Sequence, residues 1–327
     1  MLSAGHGEIK IFAGSTGKAF AQKMCDCLGA ELGDSIVINF SEGNTFVRIN
    51  ESVRDKDVYL LLPIGLDPNN EFVELLFWMD AFKRASADSV TAIIPYFGYA
   101  KGDKKDEPRV SIRARVCAEC IELAGADRVV TMDLHSPQVQ GFFKKPVDNL
   151  TAMPILCNYV IDEKLSENLV VVSPDAGFAK NARAYAEYLN VSVAIGDKTR
   201  SGHDENAKVL EVIGDVNGKD VLIVDDFTIS GGTLIDLARA LKEKGAKHIY
   251  AALSHILLND KGVEKLMNSD IELLISTDSI DNPHVKNCPK VKIVSVAPLF
   301  SETIRRVHNR ESVSPLFNNL KQMKLDI

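Results

Sequence analysis

The sequence predicts an α/β protein, with parallel sheets flanked by helices and two domains. Three observations carry this expectation. Short β-branched apolar runs alternate with amphipathic stretches nearly from end to end. Most of those runs are apolar on both faces, as strands buried between two helix layers must be. The length, 327 residues, also gives a prior of about two cores.

The elements follow in order. Runs at 9–13, 35–39, 58–64, 89–97, 128–134, 168–174, 191–196, 220–226, 248–255, 271–277 and 290–299 read as strands. Between them, "STGKAFAQKMCDCLGA" and "GGTLIDLARALKEKGA" have helical periodicity, and the second closes on basic residues and Gly245, good helix-stop chemistry. Alternation of this kind with short connections implies right-handed crossovers within layered sheets. The "ELAGADRVVTMDLH" and "KEKGAKHIYAALSH" stretches echo one another weakly, each running from helix end through a turn and strand to a histidine. The natural break falls near "NLTAMPIL", giving expected domains of 1–155 and 156–327.

Bulk properties narrow the function classes. Hydrophobic residues at 46% and charged residues at 25% fit a soluble globular chain. A net charge of −7 argues against a nucleic-acid footprint spread over the surface, so anionic ligands must be met by local donors. No apolar run approaches the roughly 20 residues of a membrane span. The opening "MLSAGHGEIK" has neither a basic n-region nor an apolar h-region, so a cytoplasmic protein is expected. Six cysteines are too few for a disulfide scaffold. Cys117 and Cys120 form a CxxC within the helical "IRARVCAECIELAGA", where no second pair sits at zinc spacing, and are read as packing residues.

The chemistry concentrates in "VLIVDDFTISGGTL" at 221–234. Ligands of open α/β sheets sit beyond the carboxyl ends of strands, and this is such an end. Ser230-Gly231-Gly232-Thr233 lets backbone N–H groups converge at a helix start, a compact phosphate site. Carboxylates repel phosphate, so Asp225 and Asp226 must face sugar hydroxyls or a magnesium ion. A sugar phosphate satisfies both demands.

This stretch resembles the phosphoribosyl-diphosphate (PRPP) signature of type I phosphoribosyltransferases and ribose-phosphate diphosphokinases. The segments "TMDLHSPQVQGFFKKPVDNL", "VVVSPDAGFAKNARAYAEYLN", "SVTAIIPYFGYAKGDKKD" and "ETIRRVHNRESVSPLF" are similar to diphosphokinase blocks, from about residue 8 to 317. The resemblance implies two similar domains of phosphoribosyltransferase type I, with the active site between them. It implies magnesium-dependent transfer of the β,γ-diphosphoryl group of ATP to the anomeric hydroxyl of ribose 5-phosphate, giving PRPP and AMP.

The same resemblance assigns roles. Ribose 5-phosphate is expected at Asp225, Asp226, Thr228, Ser230, Gly231, Gly232 and Thr233, and catalytic cations at Lys198 and Arg200 in a loop spanning 195–209. Such transfer is mostly positioning and charge neutralisation, which is why cations are needed there. Asp133, His135 and Asp175, at strand ends, are the expected magnesium residues; histidine is a poor magnesium ligand and would act through water. Asp148 is a weaker candidate, and Lys144 stands where the family usually has an acid. ATP is expected at Phe40, Glu42, Asn44, Lys101, Gly102 and Asp103. Here the chain departs from the family's "FSDGE" and "YARQD": a carboxylate, a planar fork and an amide are replaced by Asn44, Lys101 and Gly102. The family also implies a homo-oligomer, at least a dimer and as much as a hexamer, with the segment around Phe40 reaching a neighbour.

Two other readings compete. A non-catalytic regulatory relative would carry insertions or lose catalytic-loop residues, whereas Lys198, Arg200, His135 and both loop acids are present. A PRPP-consuming phosphoribosyltransferase would lack the ATP-side blocks. A dinucleotide oxidoreductase is excluded because no GxGxxG follows the first strand.

Overall fold

The computed structural model describes residues 7–165, 167–200 and 208–318; the side chains at 198–200, 208–210 and 317–318 lie outside this description. Contacts divide the chain into two units: 1–151 with 279–281 and 295–327, and 152–278 with 282–294.

In the first unit the elements run β1 (Ile9–Ala13), α1 (Lys18–Leu28), β2 (Ser35–Asn39), β3 (Thr45–Ile49), β4 (Asp57–Leu61), α2 (Pro68–Arg84), β5 (Ser89–Ile94), α3 (Arg113–Ala124), β6 (Arg128–Met132) and β7 (Val147–Leu150). The second unit continues with α4 (Met153–Asp162), β8 (Leu169–Ser173), α5 (Ala179–Leu189), β9 (Ser192–Arg200), β10 (Lys208–Ile213), β11 (Asp220–Thr228), α6 (Gly232–Glu243), β12 (Ile249–Ile256), α7 (Asp260–Met267), β13 (Leu273–Thr277) and β14 (Val291–Val294). The chain closes with α8 (Ala297–His308) and α9 (Pro315–Asn318).

The first unit holds a parallel sheet in the order β1-β4-β5-β6-β7. Its core centres on an aromatic stack, with Trp78 and Phe82 rings 5.4 Å apart and Phe12 5.0 Å from Phe82. All three are fully buried. Trp78 keeps its one polar atom satisfied by donating to Glu74 Oε1 at 3.0 Å, and the Ser15 N–H donates to the same oxygen at 2.8 Å. Burying that carboxylate is tolerable because it collects donors.

The second unit's sheet has the order β10-β9-β8-β11-β12-β13-β14 and is parallel except at the β9–β10 edge. The chain passes from β8 outward to β9 and then returns to β11 on the other side of β8. A reversal of this kind opens a crevice beyond the strand ends, here between β8 and β11.

Three expectations are corrected and one unforeseen strand is added. The 35–39 run is a strand but not part of the parallel sheet: it pairs antiparallel with β3, Ser35 opposite Ile49, as a separate hairpin. β7 escapes periodicity because Asp148 and Asn149 interrupt its apolar residues. The 290–299 run stops at Val294, and Pro298 lies in the first turn of α8, where a missing N–H costs no helical hydrogen bond. The domain cut at 155 serves the first unit only up to its C-terminal return: α8 packs on α1 through an edge-to-face Phe20–Phe300 pair at 5.5 Å and a Ser301 hydroxyl donating to the Met24 carbonyl at 3.2 Å. His308 Nδ1 then meets Asp57 Oδ2 at 2.7 Å.

Candidate active site

β11 runs apolar and buried from Val221 to Val224, then delivers its two acids at the carboxyl end beside the reversal. Asp225 is half-buried and Asp226 buried. Each folds back on the backbone: Asp225 Oδ1 accepts the Asp226 N–H and Asp226 Oδ1 accepts the Phe227 N–H, both at 2.9 Å. Burial first, then the adjacent Asp226 carboxylate and more distantly Asp175, push the Asp225 carboxyl up to about 8. Crowded acids with little water around them favour a bound cation or a proton.

Thr228 is buried, and its carbonyl accepts the Leu257 N–H at 2.9 Å, so the strand is held to its last residue. The chain then opens to solvent at Ile229 and Ser230. Gly231 adopts φ 73°, a left-handed conformation that glycine takes without strain, and caps α6 at its start. A Cβ at Gly232 would find nothing nearer than Ser230 Oγ at 3.7 Å, so the space above the loop is free. With Thr233 in the first turn of α6, the loop offers backbone N–H groups at a helix N-terminus, as an anion site requires.

Asp175 follows β8 and lies across the reversal from the β11 acids. It is exposed, and its Oδ1 accepts the Phe178 N–H at 3.0 Å. The structure therefore brings Asp175 together with the expected sugar residues of the same unit. Lys198 and Arg200 lie on β9, opposite Leu210 and Lys208, so the expected loop is bounded by paired strands. Their side chains, and residues 201–207, are outside the described residues. The polar "DKTR" hides a strand whose partner is the alternating "KVLEVI" of β10.

In the first unit, Asp133 and His135 follow β6. Asp133 takes φ 42°, and its N–H donates to the Leu150 carbonyl at 2.9 Å. Asn149 Oδ1 accepts the Leu134 N–H at 3.1 Å, so β7 shapes this turn; its polar residues, which masked it as a strand, are the signal that could have found it. Asp148 does not join them. It is buried and ion-paired with Arg128, which removes it as a metal candidate. Cys117 is buried in α3 and its thiol is raised to about 12, chiefly by desolvation.

Phe40, Glu42 and Asn44 form the turn of the β2–β3 hairpin, closed by Phe40 N–H to the Asn44 carbonyl at 2.8 Å. Phe40 is exposed, its ring 6.4 Å from that of Phe46. Lys101, Gly102 and Asp103 end a 3₁₀ turn after β5, with Gly102 buried and its neighbours half-buried.

No three His, Cys, Asp or Glu side chains among the described residues converge closely enough to hold a metal alone. No described helix is long and apolar enough to cross a membrane.

Comparison with known proteins matches this architecture. Residues 9–125 match the N-terminal domain of ribose phosphate pyrophosphokinase, and residues 204–318 a phosphoribosyl synthetase-associated domain. The ribose-phosphate pyrophosphokinase of Caldanaerobacter subterraneus subsp. tengcongensis is 46% identical over 309 residues, covering 94% of this chain and 98% of its own. That of Clostridium acetobutylicum is 43% identical over 314 residues, 95% and 98% of the two chains. The crystal structure of phosphoribosylpyrophosphate synthetase from Mycobacterium smegmatis superposes with TM-score 0.87 at 36% identity, covering 93% of this chain and 99% of that one. The chain belongs to the ribose-phosphate pyrophosphokinase family.

Proposed function

We propose that the chain transfers the β,γ-diphosphoryl group of ATP to the anomeric hydroxyl of ribose 5-phosphate, releasing AMP and forming PRPP. The observation that carries this is the acid pair beside an open, left-handed glycine loop at the switch point of the second sheet. Few ligands but a sugar phosphate want both.

In this reading the 5-phosphate sits on the N–H groups of residues 230–233, with Ser230 and Thr233 hydroxyls beside it. Asp225 and Asp226 accept from the ribose hydroxyls, and Thr228 lines the same edge. The anomeric oxygen attacks the β-phosphorus in line, a P–O bond to AMP breaks, and the hydroxyl proton leaves to solvent. Lys198 and Arg200 neutralise charge on the transferring group, the term on which phosphoryl transfer depends most. Phe40 stacks on the adenine, with Glu42, Asn44, Lys101, Gly102 and Asp103 around the nucleotide. Asp175 in the second unit, and Asp133 and His135 in the first, are each proposed as magnesium residues, the histidine acting through water. Magnesium, when bound, supplies charge compensation on the triphosphate.

Ile38, Phe40 and Phe46 expose an apolar face on the hairpin, which supports a homo-oligomer joined there. A coupled assay tests the reaction: AMP must appear from ATP only when ribose 5-phosphate is present. AMP formed equally without the sugar phosphate would overturn the reading.

A further inference from the structure

Gly102 has φ −92° and ψ 43°, outside the left-handed region that demands glycine, so its φ does not by itself call for one. The space around it does. A Cβ at this position would lie 2.8 Å from both Cβ and Nε of Arg113, and 3.4 Å from its Cζ. The arginine side chain therefore lies across the glycine and fills the volume that a residue at 102 would occupy. The arrangement is fixed by backbone: the Ala114 N–H donates to the Gly102 carbonyl at 3.1 Å, and the Gly102 N–H to the Tyr99 carbonyl at 2.9 Å.

Nothing in the fold accounts for a cation here. Arg113 is the first residue of α3, where the helix dipole disfavours positive charge, and no acid stands in that first turn. Its side chain is exposed, and its guanidinium has no hydrogen-bond or ion-pair partner among the described residues. Burial raises the Tyr99 hydroxyl and the Cys117 thiol, and the Arg113 charge offsets part of both rises.

We infer that Arg113 is a donor-nucleotide-binding residue, reaching across Gly102 to present a fork of N–H donors beside Lys101. The inference rests on the reading of residues 101–103 as the nucleotide side. A guanidinium donates only, so its partners must be acceptors: phosphate oxygens, or N7 of the purine ring. Gly102 is then the companion of Arg113, since a side chain at 102 and the arginine cannot share the volume.

The test uses the full-length protein. Arg113→Ala should raise the KM for ATP about tenfold, the scale of one charge-assisted contact, and leave the KM for ribose 5-phosphate within about twofold. Gly102→Gln should impair donor use or stability by displacing the arginine, and Gly102→Gln/Arg113→Ala should recover the loss, because the clash is gone and an amide can occupy the space. Lys101→Ala separates the two levels of the argument. If Lys101→Ala weakens ATP while Arg113→Ala does not, the inference about Arg113 fails alone. If neither variant alters the ATP KM, the nucleotide-side reading and the inference fail together. A double variant no better than Gly102→Gln would also overturn the pairing.

Discussion

Replacing Asp225 by asparagine removes a charge with almost no change of shape, at the point where the second unit crowds its acids. Burial and the neighbouring Asp226 and Asp175 carboxylates lift the Asp225 carboxyl from 3.8 to about 8. A folded-state value above the unfolded one means that this group's contribution to stability is complete below about 3.8 and is lost as pH rises to about 8. At about 1.4 kcal/mol per unit, the whole window bounds the loss at about 6 kcal/mol. Local relaxation around the adjacent carboxylates brings the expected gain of Asp225→Asn to about 1–3 kcal/mol at pH 8.5. At pH 5 only about a quarter of the window has been crossed, so the gain there shrinks in proportion. Thermal melts of both proteins at pH 5 and 8.5 read this directly. A rise of about 3–8 °C at pH 8.5, at least double the rise at pH 5, is expected. The same variant should bind ribose 5-phosphate about tenfold more weakly, because an amide accepts hydroxyls less well than a carboxylate. Calorimetry of magnesium and ribose 5-phosphate binding at pH 7, in buffers of different ionisation heat, should show proton release in the wild type and less in the variant. Destabilisation at both pH values, or buffer-independent heats in the wild type, would refute the argument.

Lys198→Ala or Arg200→Ala should lower kcat by about 3–4 kcal/mol of transition-state stabilisation and leave ribose 5-phosphate affinity unchanged; turnover close to wild type would remove them from the chemistry. Gly231→Val places a β-branched residue at φ 73° with its Cβ 3.2 Å from Ile235, so ribose 5-phosphate binding should vanish in calorimetry while the sheet stays folded. Phe300→Ala empties a fully buried site against Phe20 and should cost about 3–5 kcal/mol in urea unfolding, with loss of near-ultraviolet signal from the first unit.

The parallel sheets were legible because their strands are apolar on both faces, a pattern that local sequence carries by itself. The runs that became β8, β11 and β12 are all of this kind. What escaped depends on a partner. β7 is a strand because β6 lies beside it, with Val130 paired to Asp148, and its own residues do not announce it. The end of β9 is polar and is drawn into the sheet by β10. The return of α8 to the first unit rests on Phe300 meeting Phe20, residues far apart in the chain.

The candidate site divides along the same line. The acids and glycines of 225–233 are contiguous, so their chemistry could be read from one stretch, and the fold adds Asp175 through the pairing of β8 with β11. The nucleotide side is scattered over a hairpin turn, a 3₁₀ turn and a helix start, and reading each position by itself gives only losses: a carboxylate at 44, a fork at 101, an amide at 102. Space supplies the missing term. A glycine outside the left-handed region is not called for by its φ but can be by a neighbour that occupies its side, and Arg113 does so from the next helix. A change at 102 is therefore not independent of 113. Restoring a single side chain there, without removing the arginine, should fail where the paired exchange succeeds.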